Sequence, residues 1–241
     1  MLNKEQDAIT EKAIAYAKSN RTKICQALTD KSIYIPELEP VSVFMSGSPG
    51  AGKTEASIEL VASITKDGGK VLRLDPDELR KKFVDYNGAN SFLFQRAVTI
   101  LIERSMDLVI KNKQSFLLDG TFSSLGVADK NIKRSLDKKR DVVIIFVYQR
   151  PHLAWDFVKA REKVEGRRIL PRHFVDQFFG SQEVVEAMKK KYGNRIAVDL
   201  LIKDNDGRTR SYHSNVSSLK PYIKPIYSLE EIEEIVGAKG V

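Results

Sequence analysis

A chain of 241 residues with 42% hydrophobic content can bury a full core, which favours one α/β domain with small additions over two equal domains. Lys and Arg exceed the acids to give a net charge of +8, which favours anionic partners such as nucleotides, sugar phosphates or nucleic acid without choosing among them. The lone cysteine, Cys25, excludes an internal disulfide and a cysteine metal cluster and reads as a buried structural thiol compatible with a reducing cytosol. No apolar run resembles a signal peptide or approaches the roughly 20 residues of a bilayer span, so a cytoplasmic protein without a membrane partner is expected.

In chain order, Leu2, Ile9, Ala13, Ala17, Ile24 and Leu28 recur at mostly helical spacing, which predicts one or two amphipathic helices. With the connector around Pro36 and Pro40 they form an N-terminal extension and linker over 1–40, ahead of a main domain over 41–241. Short β-rich runs follow at Val41–Ser46, Lys70–Leu74, Ser115–Leu118 and Asp141–Tyr148, separated by longer helix-compatible stretches. That alternation implies a doubly wound, mostly parallel sheet with helices on both faces. A fifth run, Ile196–Lys203, reaches Asp204-Asn205-Asp206-Gly207 and continues over Arg208–His213, a C-terminal hairpin. Ser228-Leu229-Glu230-Glu231 is a capping box opening a last short helix.

The chemistry starts where the first strand ends. Val41-Ser42-Val43-Phe44-Met45 leads into Gly47-Ser48-Pro49-Gly50-Ala51-Gly52-Lys53-Thr54, and an amphipathic run from Glu55 follows. This is a P-loop in its required strand–loop–helix context. Glycines let the backbone amides turn inward against phosphates, Lys53 adds charge at the β and γ phosphates of ATP or GTP, and Thr54 offers its hydroxyl to Mg²⁺. The helix aims its positive N-terminal end at the same anion.

Open α/β sheets bind ligands at the carboxyl edge, so the tips of the next strands matter. There stand Asp75-Pro76-Asp77-Glu78-Leu79-Arg80 and Asp119-Gly120-Thr121. One carboxylate of the first motif can accept the proton of an attacking hydroxyl, with Asp77 favoured and Asp75 equally readable as a helix cap, while Arg80 can hold an anionic group. Asp119 suits a Mg²⁺-bound water and Thr121 a substrate hydroxyl. Arg161, Arg167 and Arg168 flank a loop ending Ile169-Leu170-Pro171-Arg172, and guanidiniums on a lid over about 155–175 suit charge on a moving phosphoryl group. Other features read as structural. Asp204–Gly207 begins like a calcium loop without an acid at its twelfth position, His152, His173 and His213 lack metal spacing, Trp155 and Phe178-Phe179 suit core or lid packing, and Lys189-Lys190-Lys191 suits a solvated helix face.

The succession GSPGAGKT, LDPDELR, LLDGT, an arginine in ARE and another in GRRILP, over roughly 41–175, resembles the zeta toxin family of small-molecule kinases. The resemblance implies a P-loop kinase that phosphorylates a sugar hydroxyl of UDP-N-acetylglucosamine, with a possible antitoxin covering the nucleotide site. By motif it makes Lys53 the Walker lysine, Asp77 the catalytic base, Arg161 and Arg168 the phosphate-clamping arginines, and Glu103 a substrate-contacting acid. Two departures stand out. Asp119 replaces a usual glutamate, and Phe122 and Ser123 occupy the place of a substrate-binding arginine, which opens the acceptor to another nucleotide, nucleotide sugar or dinucleotide. The rivals are a polynucleotide 5′-hydroxyl kinase, motivated by the charge, and a non-catalytic module switched by nucleotide.

Overall fold

The computed structural model describes residues 3–203 and 210–238. Helix α1 (Lys4–Leu28) is a single helix, opened by a capping box in which Asn3 and Gln6 each accept the other's backbone N–H. Strand β1 (Val41–Ser46) feeds helix α2 (Lys53–Lys66), and β2 (Leu72–Leu74) feeds the short α3 (Pro76–Arg80). After a 3₁₀ turn over Ser91–Phe94 come α4 (Gln95–Lys111), β3 (Phe116–Leu118) and α5 (Leu125–Leu136). The chain continues through β4 (Asp141–Gln149), α6 (Pro151–Glu165), α7 (Pro171–Tyr192), β5 (Ala197–Lys203), β6 (Arg210–His213) and α8 (Leu229–Val236).

The six strands run in the order β2-β3-β1-β4-β5-β6, parallel except for β6, which pairs antiparallel with β5. This is the doubly wound α/β sheet expected from the alternation of runs. The connection at Asp204–Gly207 lies outside the described residues. Alternation along β1 explains why both faces are covered. Phe44 points to one side and packs with Phe116, Phe146, Ile132 and Phe174, while Val43 and Met45 point to the other and meet Ala56, Leu117 and Val147. A third apolar cluster joins α1 to α3, the 3₁₀ turn and α4 through Ala13, Ile14, Ala17 and Cys25 against Leu79, Phe94 and Leu101. The Cys25 thiol donates to the Leu101 carbonyl at 3.4 Å, and burial pushes its pKa up, as suits a structural thiol.

Two sequence expectations change. Strand β2 is shorter than the run from Lys70, because its ladder to β3 is confined to Leu72, Arg73 and Leu74. Lys189 is not on a solvated face: it is buried, and its ammonium donates to the Ile196 carbonyl at 2.9 Å and to Asn215 Oδ1 at 3.1 Å, pinning the end of α7 to the entry of β5. Lys190 and Lys191 are exposed. Trp155 packs edge-on against Phe174, with ring centroids 5.2 Å apart, inside the main core.

Candidate active site

The chain leaves β1 toward β2 on one side and leaves the adjacent β3 toward β4 on the other, so a crevice opens at the carboxyl ends of β1 and β3. A cavity of about 950 Å³ occupies it. Its floor is the loop from Pro49 to Thr54, its far wall comes from α4 and α5, and its roof includes Phe157, Arg161, Arg167 and Ile169 from the segment read as a lid.

The loop adopts the backbone its glycines permit. Gly50 has φ +72°, and a Cβ there would fall on the Ala154 carbonyl oxygen at the start of α6. Gly47 and Ser48 turn their carbonyls toward the Lys53 ammonium, which donates to them at 2.9 and 2.7 Å. Burial pushes the Lys53 pKa down to about 8; attraction to Asp119 and Asp77 opposes that shift, while the Arg167 and Arg161 guanidiniums add to it. Thr54, in the first turn of α2, also lines the cavity.

Asp75 and Asp77 divide their labour. Asp75 is the N-cap of α3, accepting the Asp77 backbone N–H at 2.7 Å ahead of Pro76 at the first helical position. Its other oxygen accepts from Arg73, so both oxygens of this cavity-lining carboxylate are engaged. Asp77 faces the cavity, with one carboxylate oxygen accepting from Arg80 and the other from Arg167; Arg161 approaches to 3.9 Å. Arg80 donates a second hydrogen bond to Gln95 Oε1 at 2.5 Å, so its guanidinium ties α3 to α4.

Behind Asp77 lies a network that local sequence patterns do not display. Arg73, on β2, donates to Asp75 Oδ2 at 2.7 Å, to Asp119 Oδ2 at 2.5 Å and to the Ser57 hydroxyl at 2.8 Å. Ser57 in turn donates to Asp119 Oδ2 at 2.9 Å, from one turn beyond Thr54. Burial pushes the Asp75 pKa up, and Arg73 is the strongest influence holding it down. The only signal available beforehand was a charged residue in the middle of a short apolar strand.

Asp119 therefore sits beneath the P-loop helix with one oxygen engaged. Asp119 and Thr54 both line the cavity, and a carboxylate and a hydroxyl are hard oxygen donors of the kind that would fit Mg²⁺. Thr121 also lines the cavity; its carbonyl accepts the Gly47 N–H at 3.3 Å and its hydroxyl shares a hydrogen bond with Ser123 at 3.1 Å. Phe122, standing where the resemblance expects an arginine, has φ +54° and packs on Phe44 with ring centroids 5.5 Å apart. Glu103 reaches the far wall from α4, held by Lys130 at 2.8 Å and Arg134 at 3.4 Å.

The arginines depart from expectation. Arg161 and Arg167 line the cavity, whereas Arg168, carried over by motif as a clamp, points outward with its side chain 66% exposed and meets Glu162 at 3.8 Å. Gly166 ends α6 with φ +71°, and the turn it makes presents Arg167 rather than its neighbour to Asp77.

A search of curated proteins finds no match. Among solved structures, a chain from the PezAT chromosomal toxin-antitoxin system of the human pathogen Streptococcus pneumoniae is similar at TM-score 0.61 and 16% identity, covering 92% of each chain. A chain of AvrRxo1-ORF1:-ORF2 with ATP is similar at TM-score 0.61 and 16% identity, covering 98% of this chain and 74% of that one. At such identities these likenesses concern the fold. The family model described as Zeta toxin matches residues 25–217, which takes in the P-loop, both aspartate motifs and the lid arginines, and the chain belongs to the zeta toxin family of P-loop kinases.

Proposed function

We propose that the protein transfers the γ-phosphoryl group of ATP to a hydroxyl of a UDP-N-acetylglucosamine-like nucleotide sugar or a related nucleotide metabolite, acting in the cytoplasm as the toxin of a toxin–antitoxin pair. The observation that carries this reading is one continuous cavity holding both the P-loop and Asp77. A pure nucleotide switch has no need of a carboxylate facing the phosphate end of the loop.

In this mechanism Asp77 accepts the proton of the acceptor hydroxyl as that oxygen bonds to the γ-phosphorus, and the bond from phosphorus to the bridging oxygen of ADP breaks. Arg80 orients the carboxylate through the oxygen it holds. Arg167 and Arg161, already beside Asp77, follow the charge that spreads over the moving phosphoryl group, and Lys53 neutralises charge at the β–γ bridge. Thr54 and Asp119 would hold Mg²⁺, which supplies charge neutralisation between the β and γ phosphates. The roof residues exclude water, whose attack would waste ATP. The ATP-bound AvrRxo1-ORF1:-ORF2 structure supports the choice of donor, and the toxin–antitoxin setting of the PezAT structure supports an antitoxin that covers the nucleotide site.

The test is incubation with ATP, Mg²⁺ and a metabolite panel rich in nucleotide sugars and dinucleotides, followed by mass spectrometry. A gain of one phosphate with the native protein and none with Lys53→Ala is expected. Phosphate on oligonucleotide 5′ ends, with none on small molecules, would replace this acceptor by nucleic acid.

A further inference from the structure

The charged groups of the cavity lie along the carboxyl edge of the sheet in strand order. Asp77 follows β2, Asp119 follows β3, the P-loop follows β1, and Lys203 ends β5, in register with Gln149 at the end of β4. At the usual spacing of about 4.8 Å per strand, the four steps from β2 to β5 separate their tips by about 19 Å. Arg161 and Arg167 converge on Asp77 at the β2 side. A triphosphate whose γ end meets those groups runs across the P-loop with its α-phosphate and nucleoside toward β4 and β5. None of the residues given a role in transfer stands there.

Lys203 occupies that end. Its ammonium donates to the Gly52 carbonyl at 2.9 Å, and its side chain lies so close to the loop that a Cβ on Gly52 would come within 2.5 Å of Nζ and 3.0 Å of Cδ. Like Gly52, Lys53 and Thr54, it lines the cavity. The Gly52 carbonyl already accepts the Ala56 N–H at 3.2 Å in the first turn of α2, so the ammonium is not required to satisfy it. Gly52 is moreover the N-cap of α2, and a cation beside a helix N-terminus opposes the helix dipole. Lys53 places a second ammonium on the same loop. This concentration of positive charge becomes favourable when an anion lies on the loop.

We infer that Lys203 is a further nucleotide-binding residue, holding the α-phosphate end of the donor from β5 while Lys53 serves the β–γ bridge. This rests on the donor half of the kinase reading, ATP on the P-loop, and extends that site to a strand far from the P-loop motif in sequence. The α-phosphate keeps its charge throughout the transfer, so Lys203 holds the ground state and the transition state equally. It therefore binds ATP and ADP alike and acts on KM for ATP, whereas groups that meet the transferred phosphoryl act on kcat.

The experiment is calorimetric titration of the full chain with ATP and with ADP, for the native protein, Lys203→Gln and Lys203→Arg, beside steady-state kinetics with the acceptor that the native protein phosphorylates. Lys203→Gln removes the charge and keeps an N–H for the Gly52 carbonyl. It is expected to weaken ATP and ADP by the same factor, about tenfold, the scale of one charge-assisted hydrogen bond, and to flatten the salt dependence of both affinities. KM for ATP should rise by a similar factor with kcat within about twofold of native, and Lys203→Arg should bind both nucleotides within about threefold of native. Thermal melting shows whether the glutamine variant is folded; where it is not, Lys203→Met, which keeps the aliphatic stem over Gly52, takes its place. Unchanged affinities in the uncharged variant, a loss confined to ATP, a fall in kcat at unchanged KM, or an equal loss in Lys203→Arg would overturn the inference. Charge-dependent binding of both nucleotides by a native protein that phosphorylates no acceptor would leave it standing and sink the kinase reading. Transfer by the native protein with ATP affinity indifferent to the charge at position 203 would do the reverse.

Discussion

Replacing Arg73 by methionine removes the cation shared by two enclosed carboxylates while keeping most of the aliphatic stem. Arg73 is 18% exposed, Asp75 10% and Asp119 5% at the side chain, and three hydrogen bonds end on the guanidinium. Breaking a buried pair by deleting one partner costs about 3–5 kcal/mol, mostly through the charge left uncompensated. The network borders the open cavity, so the low end, about 3 kcal/mol, is appropriate. For a chain of this size that corresponds to a fall in Tm of about 6–12 °C. The pH dependence identifies the cause. Asp75 already has its pKa raised by burial above the ordinary 3.8, with Arg73 opposing the rise. A carboxylate that binds its proton more tightly when folded favours folding at pH below its unfolded value, and that contribution is lost as pH rises through the folded one. Without Arg73 the folded pKa climbs further, so the deficit of the variant is largest near neutrality and shrinks on acidification. Urea unfolding of both proteins near pH 7 and near pH 5 measures this, and adding Asp119→Asn to Arg73→Met should recover part of the loss. Equal stability near pH 7, or a deficit that does not change with pH, would refute the charge-compensation argument.

The Lys53 pKa of about 8 predicts that ATP affinity falls as pH rises through that value, because the free protein loses the ammonium there; calorimetric titration of ATP against pH should show the slope, and Lys53→Met should lack it. Gly50→Ala places a methyl group on the Ala154 carbonyl and strains a residue at φ +72°, so ATP binding should weaken by at least about tenfold, read by fluorescent-nucleotide titration. Arg167→Met should lower turnover at least about a hundredfold, as expected for a guanidinium on the moving phosphoryl group, while Arg168→Met should cost less than about threefold. Steady-state kinetics on the two variants decide between the geometry and the motif alignment.

The phosphate cradle was legible because its meaning is local: an apolar strand, glycines at the turn and a helix behind Lys53 lie within a short stretch of chain. The strand boundaries of β1 followed from the same run, and those of β2 did not, since its length depends on where β3 offers a partner. Arg73 escaped notice because its partners, Ser57 and Asp119, come from other elements and are brought together only by the strand order. The choice between Arg167 and Arg168 turns on the φ of Gly166, a one-residue matter that spacing to the following proline does not encode.

The most direct test of the central claim is phosphoryl transfer by Asp77→Ala measured beside its ATP affinity, with the acceptor that the native protein phosphorylates. The account predicts that transfer falls below detection while ATP binds within about threefold of the native affinity, since in the proposed mechanism Asp77 acts on the acceptor and the P-loop holds the donor. Transfer at the native rate by that variant would contradict it.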